Sequence, residues 1–97
     1  MPAYVTLFNF TEQGVKDIKN TVERARAAGA ASKDAGGRFI GVWWLLGPYD
    51  GIVISEAPDE ETATRLVIAS GMLGNIKTVT MRAFSEEEMA RIVHGLP

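Results

Sequence analysis

The segment Arg38–Ala63, RFIGVWWLLGPYDGIVISEAPDEETA, decides the fold. Its first part, Arg38 to Leu46, reads as a strand whose alternating faces are both apolar. Phe39, Gly41, Trp43 and Leu45 fall on one side, and Ile40, Val42, Trp44 and Leu46 on the other. An antiparallel strand with one wet face would alternate apolar with polar residues, so this pattern predicts cover on both sides. Gly47-Pro48-Tyr49-Asp50-Gly51 follows with turn chemistry: proline presets one backbone angle and the glycines permit others. Gly51 to Glu56 is the return strand of a hairpin, with Ile52, Ile54 and Glu56 on one face and Val53 and Ser55 on the other. Asp59 then stands as the N-cap of a helix, with Glu60 and Glu61 complementing the helix dipole in its first turn.

Working outward, Ala3–Phe10 is β-rich, placing Tyr4, Thr6, Phe8 and Phe10 on one face and Val5, Leu7 and Asn9 on the other. Thr11 opens a helical start that Gly14 turns into a short turn. A longer helix is expected from about Val15 to Ala35, with Val15, Ile18, Val22, Ala25 and Ala28 or Gly29 at helical spacing. Asn20-Thr21, residues that favour caps, mark the place where it would break. Asp34-Ala35-Gly36-Gly37 ends it. Downstream, Ala63, Leu66, Val67 and Ser70 form the inner stripe of the helix after Asp59, which stops around Gly71-Met72-Leu73-Gly74-Asn75. Ile76–Phe84 is a fourth strand whose mixed polarity suits a sheet edge. Ser85 with Glu88 three residues on forms a capping box for a short terminal helix ending near Gly95.

The resulting order is strand, helix, strand, strand, helix, strand: a ferredoxin-like βαββαβ sandwich of the α+β class. Its four-stranded antiparallel sheet carries two helices on one face, with a short C-terminal helix added. The chain has 97 residues, 46% of them hydrophobic, enough for one domain spanning 1–97 and too few for two. The sheet face away from the helices would expose one tryptophan and its apolar neighbours on a lone chain, so a homodimer or higher homo-oligomer burying sheet against sheet is expected.

Composition narrows the chemistry. Ten basic against twelve acidic residues, scattered along the chain, give a net charge of −2 and no basic cluster for nucleic-acid phosphates. An RNA-binding sheet of the RNA-recognition kind is disfavoured on the same ground. The absence of cysteine removes thiolate chemistry and disulfides, and one histidine, His94, is a poor basis for a metal site. No stretch approaches the roughly 18 apolar residues of a membrane span. The expectation is a cytoplasmic protein without cofactor, bound metal, nucleic-acid partner or membrane contact.

Three blocks, YVTLFNFTEQG from Tyr4, LGPYDGIVISEAPDEETA from Leu46 and GMLGNIKTVTMRAFSEEEM from Gly71, together resemble the GYD domain family, small proteins of largely uncharacterised function. The resemblance covers almost the whole chain. The Gly-Tyr-Asp signature reads here Gly47-Pro48-Tyr49-Asp50, with a proline intervening. The resemblance implies a ferredoxin-like fold or dimeric α+β barrel and carries over no catalytic residue.

Six residues are candidates for a site. Tyr49 and Asp50 offer a phenol donor and a carboxylate base, set against a purely architectural turn in which Asp bonds nearby backbone. Glu56 shares an apolar face with Ile52 and Ile54, where burial would raise its pKa; the plainer alternative is an ion pair with Arg38, Arg65 or Arg82. Asn9 is a candidate to orient a ligand carbonyl or to cap the turn after its strand. Trp43 and Trp44 must point to opposite faces in a regular strand, so one packs under the helices and the other faces a partner or a pocket. Two functions follow: a homo-oligomeric domain holding a small apolar organic ligand between sheet and helices, or a cofactor-independent enzyme of the oxygenase, isomerase or dehydratase type using Tyr49, Asp50, Glu56 and Asn9 in an apolar cavity.

Overall fold

A computed structural model describes residues 1–97. Four strands, β1 (Ala3–Phe10), β2 (Arg38–Trp44), β3 (Gly51–Glu56) and β4 (Ile76–Ala83), form one antiparallel sheet in the order β2-β3-β1-β4. Helices α2 (Thr21–Asp34) and α3 (Glu60–Met72) cover one face. This is the ferredoxin-like arrangement that the element order predicts, with β4 at an edge.

The first helical segment departs from expectation. In place of a helix from Val15, the chain makes a short helix α1 (Glu12–Lys16), one 3₁₀ turn (Ile18–Asn20) and then α2. The break falls at Asn20-Thr21, but it moves Val15, Ile18 and Val22 out of the inner stripe and leaves them 58%, 41% and 44% exposed. The cause lies at Gly14, which is buried so closely against the Asn75 backbone that no side chain would fit there. The Thr11 side chain accepts from the Gly14 N–H, the Thr11 N–H donates to Asn75 O at 3.0 Å, and Gln13 Nε2 donates to Leu73 O at 2.9 Å. Segment 11–14 is thus pinned to the turn before β4, and α2 must start afresh.

A second correction concerns β2, which ends at Trp44 rather than Leu46. Between Phe39 and Gly41 its pairing with β3 slips by one residue: Phe39 lies opposite Ser55 and Gly41 opposite Ile54. Such a bulge puts two residues against one and reverses the alternation. Phe39 therefore joins Val42 and Trp44 under the helices instead of sharing a face with Gly41 and Trp43.

The other boundaries follow the local chemistry. Gly36 at φ 84° ends α2. Asp59 accepts from the Thr62 N–H at 2.7 Å and starts α3. The Ser85–Glu88 capping box is complete and starts helix α4 (Glu86–His94).

The packing between sheet and helices is loose. The buried apolar residues are Tyr4, Phe8, Ala57 and Ala63, and no large side chain is fully buried. The other sheet face, expected to be covered, is bare in the single chain. Trp43, Val79 and Met81 on it are 51%, 49% and 46% exposed. The domain is 52 × 31 × 18 Å, and its 14.6 Å radius of gyration exceeds the ~12.5 Å usual for this length. The 52 Å long axis, with helix α4 exposed along nearly its whole length, accounts for that excess.

Candidate functional site

The helix-covered face of the sheet presents Tyr4, Thr6, Phe8 and Phe10 from β1, Val53 and Ser55 from β3, Val42 and Trp44 from β2, and Ile76, Thr78 and Thr80 from β4. The helices meet this floor with short side chains: Ala25, Ala28, Ala31 and Ser32 on α2, and Ala63 and Ser70 alongside Leu66 and Val67 on α3. Methyl and hydroxymethyl groups do not span the gap that larger residues fill in a packed core. The result is a cavity of about 320 Å³ between the layers, within the range of small-molecule pockets.

Its walls are mostly apolar, with polar atoms at particular places. Thr6 and Thr80 share a hydrogen bond at 3.0 Å across the strand pair. Arg24 reaches back along α2, and its Nη1 bonds Asp17 Oδ2 at 2.7 Å and Asp17 O at 2.8 Å. Arg24 Nη2, Tyr4 Oη and Ser32 Oγ are buried without a hydrogen-bond partner in the chain. All three residues line the cavity. Arg24 and Ser32 stand eight residues apart on α2, about 12 Å along the helix axis, so these atoms do not converge on one point.

Of the six residues singled out from sequence, Trp44 borders the cavity; its Nε1 donates to Thr21 Oγ1 at 3.1 Å, fastening β2 to the first turn of α2. Trp43 lies on the bare face opposite Ile52, so the pair splits between faces as expected. Asp50 is built into the scaffold. Its Oδ2 accepts from the Phe10 N–H at 2.8 Å, its own N–H donates to Phe8 O at 2.9 Å, and its carbonyl accepts from the Leu45 N–H at 2.8 Å. Tyr49, beside it in the turn, is half-buried and outside the cavity wall. Asn9 lies on the bare face opposite Lys77. Glu56 touches one end of the cavity wall, while the strand alternation places its carboxylate on the bare face, 3.5 Å from Arg38 Nη1. Tyr49, Asp50, Asn9 and Glu56 are thus not gathered around one point.

Arg24, Tyr4 and Ser32 were not singled out from sequence. The available signal was the run Ala-Arg-Ala-Ala-Gly-Ala-Ala-Ser, 25–32, a helix face too small to fill a core yet flanked by Arg24 and closed by a serine.

Two carboxylates outside the cavity are strongly held. Hydrogen bonds from the Ser85 N–H and the Arg82 guanidinium bring the Glu88 pKa down to about 2. The Thr62 backbone N–H, then its side chain, hold Asp59 below its usual range. Both are helix-capping groups.

A four-stranded ferredoxin-like sheet with an open apolar face and an under-filled helical layer defines the class. The GYD domain model matches residues 4–93, and the chain belongs to that family. It is 30% identical over 84 residues to a Thermus thermophilus protein named glutamine synthetase and cystathionine beta-lyase binding protein, covering 86% of this chain and 88% of the relative. Among solved structures, MtbAldR superposes with a TM-score of 0.68 at 15% identity over 88% of this chain, which spans only 52% of that protein. TTHA0845 of Thermus thermophilus superposes with a TM-score of 0.56 at 22% identity, covering 88% of this chain and 95% of that one. At these identities the structural likenesses establish the fold.

The three sequence blocks of the family meet at one end of β1. Asp50 of the signature turn holds the Phe10 N–H, Thr11 and Gln13 hold the turn at Leu73–Asn75, and Gly14 packs on it. Here the signature Asp joins two strands together.

Proposed function

We propose that this protein is a non-catalytic binding module that works as a homodimer, pairing the bare sheet faces of two copies, and that docks onto partner enzymes while holding a small organic ligand between sheet and helices. The bare face carries the reading. Val5, Leu7, Ile52, Ile54, Trp43, Val79 and Met81 share it, with Trp43, Val79 and Met81 about half exposed. Four strands about 4.8 Å apart and six to eight residues long, at about 3.3 Å per residue, give a face of roughly 450 Å² in flat projection. The apolar patch at the centre of that face, between Asn9 and Lys77 at one end and Arg38 and Glu56 at the other, marks association.

The enzyme-docking part rests on the relative named for binding glutamine synthetase and cystathionine beta-lyase, which aligns with nearly the whole chain. The enzymatic alternative drew on Tyr49, Asp50, Glu56 and Asn9 meeting in a cavity; only Glu56 touches the cavity wall, at the end of β3 away from the other three, which gives that alternative no support. The test is calorimetric titration of the purified protein into glutamine synthetase and cystathionine beta-lyase from the same source. Saturable binding to either enzyme is expected, and heats of dilution alone with both would overturn the docking proposal.

A further inference from the structure

From the placement of its exposed apolar groups we infer that α4 is an exchange arm: in the homodimer, α4 of each copy packs on the other copy, against the end that carries Leu45 and Leu46. This deepens the pairing in the proposed function and rests on it.

Met89, Ile92, Val93 and Leu96 fall at i, i+3, i+4 and i+7, the spacing of an apolar stripe along one side of a helix. The Leu96 N–H donates to Val93 O at 3.1 Å, so the turn past His94 keeps that spacing. Such a stripe ordinarily lies against the body of the domain, yet every residue from Met89 to Pro97 is exposed. The chain does not cover the stripe itself, because the start of α4 is fastened. Only Phe84 and Ser85 separate it from β4, the Ser85–Glu88 capping box fixes its first turn, and Arg82 Nη2 donates to Glu88 Oε2 at 2.9 Å. Strands of eight residues span only about 26 Å. In a domain 52 Å long and 18 Å thick, α4 therefore prolongs the slab past the end of β4 instead of folding back over it.

The opposite end of the slab is apolar too. Ala83, from which α4 departs, pairs with Ala3 at the start of β1, whereas the turn after β2 is tied to the far end of β1: the Leu45 N–H donates to Asp50 O, and the Asp50 N–H to Phe8 O. In that turn Leu46 is fully exposed and Leu45 is 41% exposed. Each copy thus has an apolar arm at one end and an apolar tip at the other. Two copies that pair their sheet faces with strands running in opposite senses bring arm to tip twice, through one two-fold axis. Charge does not oppose the contact, since Glu87 is matched by Arg91 at 3.9 Å and Glu88 by Arg82.

Area singles out a second copy as the occupant. The sheet face alone, roughly 450 Å² in projection, falls well short of the roughly 800 Å² per partner of a standard interface. A nine-residue helix about 14 Å long and about 10 Å wide presents roughly 140 Å². Giving one arm and receiving another adds about 280 Å² and brings each copy close to that standard.

The chain has no cysteine, so single cysteines report contacts without background. Ile92→Cys and Leu46→Cys proteins, alone and mixed, are equilibrated in a glutathione redox buffer until copies have exchanged. The mixture is expected to yield disulfide-linked dimers joining the two variants, about tenfold or more above the yield of either variant with itself. Met89→Asp, at a position exposed in the single chain, should raise the dimer dissociation constant about tenfold or more while leaving the circular dichroism spectrum unchanged. Leu46→Asp should do the same, and the two together should cost less than the sum of their separate effects. Equal yields in all three samples, preferential joining of Ile92→Cys to itself, or an unchanged dissociation constant for Met89→Asp would overturn the arm and leave the sheet pairing standing. A single-chain mass for the unaltered protein would remove both.

Discussion

At the scale of single residues, Asp50 shows how a family signature can be architectural. Its carboxylate holds the last N–H of β1 and its backbone pairs with both Phe8 and Leu45, so the turn, β1 and the end of β2 share one residue. Asp50→Ala is expected to destabilise the chain by about 1–2 kcal/mol in urea unfolding, because a charge-assisted bond is lost and a part-buried N–H is left unpaired. Asp50→Asn, which keeps an acceptor, should recover much of that. Glu88 gives a pH test. Its folded pKa of about 2 lies below the ordinary 4.5, so its contribution to stability is fully present above the ordinary value and is lost as pH falls through the folded one. Titrating the Glu88 carboxyl carbon by NMR should give a midpoint near 2 and, over the interval below 4.5, loss of helical signal in α4. A midpoint at the ordinary value would mean that the capping box and the Arg82 pair do not persist in solution. None of this needed a fold to be anticipated for Ser85 and Glu88, whose three-residue spacing is local. The role of Asp50 was not legible, since its main partner, Phe10, lies far back along the chain, at the end of β1.

Among the elements, each strand and most helix ends follow from sequence pattern, and the departures have identifiable causes. The break before α2 was readable as a pair of cap-favouring residues. Its consequence for Val15, Ile18 and Val22 was not, because it depends on Gly14 docking against Asn75 across the fold. The bulge in β2 is likewise invisible to alternation, as a strand apolar on both faces gives the same pattern in either register. Gly51 tests the sheet side of the packing. The Phe8 ring lies over it so closely that a methyl group there would collide with the ring. Gly51→Ala should cost about 1–3 kcal/mol, as overpacked cores do, and should lower the melting temperature without changing the strand content. Helix α4 is fastened at its start by the Arg82–Glu88 contact at 2.9 Å. Its apolar residues Met89, Ile92 and Val93 remain 44%, 48% and 50% exposed, a second apolar surface beyond the sheet face.

Considered as a whole molecule, the chain is a two-layer slab, unfinished on one side and under-filled within the other. The element order and the doubly apolar β2 were enough to read the ferredoxin-like fold and to expect a covered second face. The cavity was less legible. It arises from the opposition of alanine-rich α2 to an aromatic sheet floor, a relation between elements distant in sequence, and the orphaned atoms of Tyr4, Arg24 and Ser32 are defined only in three dimensions. No helix is long and apolar enough to cross a membrane. Hydrophobic burial contributes roughly 25 cal/mol per Å² of apolar surface, so covering the bare sheet face outweighs any single contact within the chain. Dimerisation is therefore the property on which the proposed function most depends. Multi-angle light scattering of the purified protein at micromolar concentration, with Trp43→Glu and Val79→Lys variants alongside, measures it directly. The expected result is twice the 10.5 kDa chain mass for the unaltered protein and the single-chain mass for both variants. A single-chain mass for the unaltered protein, or a dimer indifferent to charges placed on the sheet face, would contradict the proposed pairing.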